Sequence, residues 1–95
     1  MANDWPREML ETVPYLRGQK FVRKDYKHPR PSWDHDHCAV CGQTLVEPDR
    51  KASNVTHEGY ASTSEYQHGE DYEWICVACF IAFKEDMGWQ DATPA

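Results

Sequence analysis

Aliphatic side chains are scarce in this 95-residue chain. Leu, Ile, Val and Phe together number 14 residues, about 15% of the total. Charged chains with less than about 20% of these residues are typically disordered. Twelve aromatic residues, including four Trp and five Tyr, supply burial that aliphatic side chains normally provide. We therefore expect a domain that needs a metal ion or a covalent cross-link in order to fold.

Long apolar runs are also absent from the sequence. A membrane-spanning helix needs about 18 or more consecutive apolar residues, so we expect no membrane contact. The first residues lack the basic start and the apolar stretch of a secretory signal, which makes the cytoplasm the expected compartment. Disulfide bonds do not persist in that reducing compartment.

The four cysteines form two Cys-x-x-Cys pairs, Cys38 with Cys41 and Cys76 with Cys79, and 34 residues separate the pairs. This spacing lets two thiolates of each pair reach one tetrahedral metal ion. The sequence therefore predicts one structural Zn²⁺ per chain, held by all four cysteines. Two disulfides or a redox-active dithiol are the alternatives, and a redox dithiol needs a thioredoxin-like strand and helix around a single pair.

The predicted architecture is a single α+β domain over residues 1–95, since domains usually contain about 100–150 residues. An apolar stripe over residues 2–13 predicts an N-terminal helix that Pro14 ends. Between the cysteine pairs we expect a strand from Thr44 and a return strand over residues 59–64. The parts of the domain are a helical segment (1–16), a basic arm (17–31) and a Cys₄ zinc core (32–89).

Residues 72–88 are the most regular segment. They predict a short strand followed by a helix that ends at Met87, with Gly88 as its C-cap. The residues spaced for one face of this helix are Cys76, Cys79, Phe80, Phe83 and Met87. The two thiolates therefore lie at the helix N-terminus, where the backbone dipoles favour negative charge.

A Cys-x-x-Cys turn, a hairpin and a second Cys-x-x-Cys on the first turn of a helix resemble the treble clef of the zinc-ribbon and zinc-finger group. Two longer motifs are also similar to those of a set of small uncharacterised bacterial cytoplasmic proteins. These motifs are Trp33-Asp-His-Asp-His-Cys-Ala-Val-Cys and Trp74-Ile-Cys-Val-Ala-Cys-Phe-Ile-Ala-Phe-Lys. The resemblance implies a zinc-stabilised fold and no particular activity, because treble clefs serve many functions.

Asp34-His-Asp-His, directly before the first cysteine pair, is the motif that most suggests an enzyme. It resembles the motif of treble-clef HNH-type nucleases, in which a His activates water and a carboxylate holds a divalent ion. In those nucleases the motif lies between the cysteine pairs and a helix residue completes the ion site, whereas here it precedes Cys38. We therefore expect no enzymatic activity. We predict instead that His35 and His37 pack beside the zinc or hydrogen-bond a thiolate.

Positive charge is concentrated in residues 17–30, which hold six of the ten Lys and Arg residues and carry a net charge of +5. Residues 31–95 carry a net charge of −9. Phe21 or Tyr26 could stack on bases while the cations contact phosphates, so nucleic-acid binding is the second choice of function. The alternative is that this basic segment pairs with the acidic remainder of the protein.

The favoured function is a non-catalytic protein-binding module, because an acidic, aromatic-rich domain on a metal core suits docking onto a basic partner. An inhibitor, an immunity-type protein or an adaptor would fit this description. Interface hot spots favour Tyr, Trp and Arg. The predicted partner-binding residues are the cations Arg23, Lys24 and Lys27 and the aromatic residues Tyr60, Tyr66 and Trp89.

Overall fold

The computed structural model describes residues 7–27 and 35–94. Its helices and strands are the 3₁₀ helices Arg7–Thr12 and Pro14–Leu16, β1 (Lys20–Asp25), β2 (Asp36–His37), β3 (Thr44–Leu45), β4 (Val55–Thr56), β5 (Glu58–Ser62), β6 (Trp74–Cys76), α1 (Val77–Met87) and β7 (Gln90–Asp91). Within these residues the chain forms one α-helix and two sheets, which confirms the α+β class.

The larger sheet has four strands in the order β6-β5-β1-β7. Strand β5 is antiparallel to both β1 and β6, and the short β7 joins β1 in parallel. Phe21 and Val22 favour the extended conformation of β1, as β-branched and aromatic residues do. The predicted extended conformation of the basic segment is confirmed. Residues 20–25 of the segment form β1, an interior strand of the sheet.

The smaller sheet has the order β2-β3-β4. Strands β2 and β3 are antiparallel and flank the first cysteine pair, while β4 pairs with β3 in parallel. The strand predicted from Thr44 is confirmed as β3, and the predicted return strand corresponds to β5, which begins at Glu58. The short β4 and its parallel pairing were not predicted.

Alternate residues of the larger sheet face two different buried clusters, as the two-residue period of a strand requires. Tyr60 and Ile75 belong to the larger cluster, which also contains the buried face of α1. Ala61 and Trp74 belong to a smaller cluster, together with Leu45 of β3. The larger sheet is therefore buried on both faces, by the helix on one and by the smaller sheet on the other.

Gly59 of β5 packs closely against the backbone of β6 and against Leu45 of the smaller sheet. A Cβ atom at this position would lie 2.9 Å from the carbonyl oxygen of Ile75 and 2.9 Å from Cδ2 of Leu45. Distances this short are not tolerated by a carbon atom, so glycine is required here for packing.

Aromatic rings fill the centre of the larger cluster. Phe80 stacks on Tyr60, with ring centroids 3.7 Å apart, and on Trp89, with centroids 5.7 Å apart. Phe21 meets both Phe80 and Trp89 edge to face. The indole nitrogen of Trp89 donates a 2.9 Å hydrogen bond to the carbonyl oxygen of Leu16. This arrangement confirms the expectation that aromatic side chains supply much of the core in place of aliphatic ones.

The helix predicted from the second cysteine pair is confirmed in its extent and in its buried face. It ends at Met87, and Gly88 forms the C-cap with a left-handed φ of 66°. The face that packs into the core contains Cys79, Phe80, Phe83 and Met87.

The N-terminal segment differs from the predicted helix over residues 2–13, part of which lies outside the described residues. The described part is a 3₁₀ helix, Arg7–Thr12, and Pro14 begins a second 3₁₀ helix rather than simply ending a helix.

The conformation of Val13 and the proline that follows it explain this difference. Leu10, Val13 and Leu16 are all buried in the larger cluster and follow one another at intervals of three residues. Val13 lies between the two 3₁₀ helices with φ −132° and ψ 46°, so the helical conformation does not continue through it. Pro14, which has no amide hydrogen, also interrupts an α-helical hydrogen-bond ladder.

Candidate metal centre

The four cysteines predicted as ligands lie together, with all of their sulfur atoms within 4.8 Å of one another. None of them forms a disulfide bond. Zinc–sulfur bonds of about 2.3 Å in a tetrahedron require sulfur–sulfur separations of about 3.8 Å. The sulfur atoms of Cys41 and Cys76 are 3.7 Å apart. The cluster therefore has the dimensions needed to hold one tetrahedral metal ion.

Residues 38–42 form a tight turn, here called the knuckle, which carries the first cysteine pair. The amide of Gly42 donates to the carbonyl oxygen of Cys38 at 2.9 Å, and Gly42 has a left-handed φ of 82°. The amides of Val40 and Cys41 point at the sulfur of Cys38, at 3.4 and 3.5 Å. Such amides stabilise a thiolate, so the turn prepares Cys38 for metal binding.

The second cysteine pair lies where β6 continues into α1. Cys76 is the N-cap of the helix, and its sulfur accepts a 3.4 Å hydrogen bond from the amide of Cys79. The amide of Ala39 in the knuckle donates to the carbonyl oxygen of Trp74 at 2.9 Å. This backbone contact holds the two halves of the site together independently of the sulfur atoms.

The thiols of the cluster differ in the direction in which their pKa values are shifted. Hydrogen bonds from the thiols of Cys76 and Cys79 lower the pKa of Cys38 to about 2. The same hydrogen bonds raise the pKa of Cys76 and that of Cys79, because both lie beside the negative charge of Cys38. A metal ion binds cysteine as the thiolate, so every coordinating thiol must lose its proton. Metal binding at this site should therefore release protons.

Solvent reaches the sulfur cluster from one side. Cys38, Cys76 and Cys79 are buried, whereas Cys41 at the end of the knuckle is exposed. Three of the four sulfur atoms are therefore shielded from water, as is usual for a site that contributes to folding.

The two histidines predicted beside the metal lie at the surface near the knuckle. Their rings meet edge to face, with centroids 5.0 Å apart. Nδ1 of His37 lies 3.3 Å from the carbonyl oxygen of Gly42 and 3.4 Å from the hydroxyl of Thr44. His37 thus contacts the backbone of the knuckle rather than a sulfur, and a role of His35 beside the metal stays a prediction. Asp34 lies outside the described residues.

Cations of the basic segment pair with acidic side chains of the same chain. Arg23 forms two hydrogen bonds with Glu58, at 2.8 and 3.2 Å, which hold the pKa of that carboxyl below its usual range. Lys24 lies 2.8 Å from a carboxylate oxygen of Asp71. Further pairs join Lys20 to Glu65 and Lys24 to Glu70. The expected internal pairing is confirmed for Lys20, Arg23 and Lys24, whereas Lys27 is exposed.

We expect the substitution Lys24→Gln to lower the free energy of unfolding by about 1 kcal/mol or less, because partly exposed ion pairs contribute little. The metal content should not change. Urea denaturation of the metal-loaded protein measures the effect, with Lys27→Gln as the control that removes the same charge without an ion pair in the described part of the chain. An equal effect of both substitutions would show that net charge, rather than the pair with Asp71, is responsible.

The exposure expected of the three aromatic partner-binding residues is wrong. Tyr60, Tyr66 and Trp89 are 5%, 5% and 3% exposed. The chain has few aliphatic residues, and these large rings fill the core in their place. The exposed tyrosines are instead Tyr15 and Tyr72, at 50% and 51%. No local pattern distinguishes the two kinds of tyrosine, because neighbouring strands and turns decide which rings are covered.

Together, the fold and the sulfur cluster define a small α+β protein with four cysteines at metal-binding distance. Comparison with known proteins found no match to a family model, a curated protein or a solved structure. Within residues 7–27 and 35–94, none of the helices has the length and apolar character required to cross a membrane.

Proposed function

We propose that this protein is a non-catalytic protein-binding domain stabilised by one Zn²⁺ ion. The observation that carries the structural part is the sulfur cluster, in which four cysteines lie close enough together to supply all four ligands of a tetrahedral ion. Catalytic zinc sites keep one position open for water or substrate, whereas structural sites are closed by protein ligands. Tetrahedral sulfur sites bind zinc or iron, and elemental analysis of the purified protein distinguishes the two metals.

We further assign the fold to the treble-clef and zinc-ribbon group. In support, the knuckle lies between β2 and β3, and the second cysteine pair lies at the start of α1. The parallel pairing of β3 and β4 departs from the expected hairpin. Four free thiols also require a reducing compartment, which supports a cytoplasmic location.

The proposed partner is another protein. The chain carries a formal charge of −6, and four thiolates around a divalent cation add two further negative charges. This charge would steer the domain toward a basic surface and repel polyanions. An inhibitor, an immunity-type protein or an adaptor of bacterial origin is the proposed type.

Affinity capture from a native lysate, with and without nuclease treatment, tests the proposed function. A protein partner that remains bound after nuclease treatment is the expected result. Capture that depends on nucleic acid would instead support the alternative function, binding through residues 17–30. Two cations of that segment, Arg23 and Lys24, are already paired with carboxylates, which weighs against the alternative.

We expect no cleavage of DNA or RNA by the wild-type protein in the presence of Mg²⁺ or Mn²⁺. The HNH-like motif lies outside the loop between the cysteine pairs, and the α1 face that would complete an ion site carries Phe80 and Phe83 in the core. Plasmid and RNA cleavage assays compare the wild type with a double variant, His35→Ala with His37→Ala. Metal-dependent cleavage that the double variant loses would establish a nuclease instead.

A further inference from the structure

Tyr66, His68, Tyr72 and Glu73 lie beside the start of β6 and form a group here called the tyrosine patch, in which His68 and Tyr72 are exposed and the ring of Tyr66 is buried. The ring centroids of His68 and Tyr72 are 5.0 Å apart in a stacked arrangement, and those of Tyr66 and Tyr72 are 6.3 Å apart. The hydroxyl of Tyr66 donates a 3.1 Å hydrogen bond to Oε2 of Glu73. The patch thus joins an exposed aromatic surface to a carboxylate.

Tyr15 flanks the same surface from the second 3₁₀ helix. Burial raises its pKa, as do the nearby charges of Glu73 and Tyr72, which places its hydroxyl within electrostatic range of the patch. Tyr15 and Tyr72 are each about half exposed, at 50% and 51%.

The backbone beneath the patch is held firmly. The hydroxyl of the buried Ser62 accepts hydrogen bonds from the amides of Tyr72 and Glu73, at 3.0 and 3.1 Å, and donates one to the carbonyl oxygen of Gly69. Asp71 adopts a left-handed φ of 60°, a conformation that non-glycine residues rarely adopt and that often occurs at functional sites. These hydrogen bonds restrain the backbone that carries the exposed ring of Tyr72. A restrained backbone lowers the entropic cost of binding a partner.

Glu73 forms no ion pair with a Lys or Arg side chain in the described part of the chain, and His68 is the basic residue that acts on it. In contrast, Glu58, Glu65 and Asp71 each pair with a Lys or Arg side chain. Burial raises the pKa of Glu73, as does the negative charge of Asp36, whereas the hydrogen bond from Tyr66 and the nearby His68 lower it. A cation from a partner molecule would offset the negative charge of Asp36 and favour the ionised form of the Glu73 carboxyl group.

We infer that the tyrosine patch binds an arginine or lysine side chain of a partner protein, with Glu73 as its counter-ion and Tyr72 as its aromatic contact. A cation is attracted to the face of a tyrosine ring, and an arginine can stack on the ring while it donates to a carboxylate. The negative charge of Glu73 and Asp36 would repel a nucleic acid phosphate at the same place. This inference rests on the proposed function and specifies the chemistry of the partner.

Titration with short synthetic peptides, followed by NMR of the ¹⁵N-labelled zinc-loaded protein, tests the inference. One peptide carries several arginines, a second carries lysines at the same positions, and two control peptides carry glutamine or glutamate. A single-stranded RNA oligonucleotide is titrated in parallel. We expect the arginine and lysine peptides to shift the resonances of Tyr15, Tyr66, His68, Tyr72 and Glu73, and the control peptides to leave them unchanged.

Two pairs of variants identify the groups responsible. Tyr72→Ala should weaken binding of the arginine peptide about five- to tenfold, while Ile81→Ala, which shortens another exposed apolar side chain, should not. Glu73→Gln should weaken binding at least about threefold, because it removes the charge but still accepts the hydrogen bond of Tyr66. Glu85→Gln on the exposed side of α1 removes the same charge elsewhere and should have little effect. Thermal melting and metal content verify that each variant is folded.

Affinity capture with these variants separates failure of this inference from failure of the proposed function. If Tyr72→Ala and Glu73→Gln retain the wild-type protein partner in full, the partner binds elsewhere, and only the inference is wrong. If the wild type retains nucleic acid but no protein, the proposed function is wrong as well. The inference is also overturned if the arginine and lysine peptides cause no shifts at the patch, or if the RNA causes the same shifts.

Discussion

Removal of the metal ion is expected to unfold this protein cooperatively. Structural zinc contributes about 10–16 kcal/mol in small domains, and the net stability of a folded domain is only about 5–15 kcal/mol. The aliphatic-poor core makes this chain depend on that contribution. Elemental analysis should find about one zinc per chain, and circular dichroism during chelator titration should follow loss of structure together with loss of metal.

Substitution of single ligands provides a graded form of the same experiment. Cys76→Ser should abolish metal binding and folding, because Cys76 is buried and belongs to β6, the helix cap and the sulfur cluster together. Cys41→Ser should be less severe, since its exposed position lets water take the vacated coordination site. A metal-free protein that stays fully folded under reducing conditions would contradict the structural role of the ion.

Phe80→Ala is expected to produce the second-largest effect, a loss of about 3–5 kcal/mol of unfolding free energy. Phe80 is 2% exposed and lies between Tyr60 and Trp89, so its removal opens a cavity and breaks two ring contacts. Aromatic pairs contribute about 0.5–1.5 kcal/mol beyond the area that they bury. Urea denaturation of the zinc-loaded variant measures the change.

The adjacent residue provides a matched control. Ile81 lies on the opposite side of α1 and is 67% exposed, so Ile81→Ala should change the stability by about 0.5 kcal/mol or less. If the two substitutions destabilised the protein equally, the aromatic cluster would not be the principal core. The metal content of both variants should remain that of the wild type.

The metal site was predictable from sequence because its signals are local. Two residues between the cysteines of each pair set the geometry of a turn, and the periodicity from Cys76 to Met87 sets one face of α1. Gly88 fixes the end of that helix, since its left-handed conformation suits glycine. These features are encoded within a few residues and need no knowledge of the remainder of the chain.

The remaining features depend on contacts between distant segments. Tyr60 and Tyr72 have similar surroundings in sequence, but only Tyr60 is covered by Phe80. No sequence pattern pointed to Ser62. Its hydroxyl nevertheless organises the loop before β6, because it accepts hydrogen bonds from amides about ten positions away. The parallel pairing of β3 with β4 likewise joins segments that no local pattern connects.

The position of Cys76 links the stability of the protein to the supply of metal in its surroundings. Its backbone pairs with Gly59 in the larger sheet and begins α1, while its sulfur belongs to the metal-binding cluster. With the proposed ion bound there, folding and metal binding form one coupled equilibrium. Above the dissociation constant, each tenfold increase in free metal concentration adds about 1.4 kcal/mol to the stability. The fraction of folded protein in a cell would thus report the local availability of the ion.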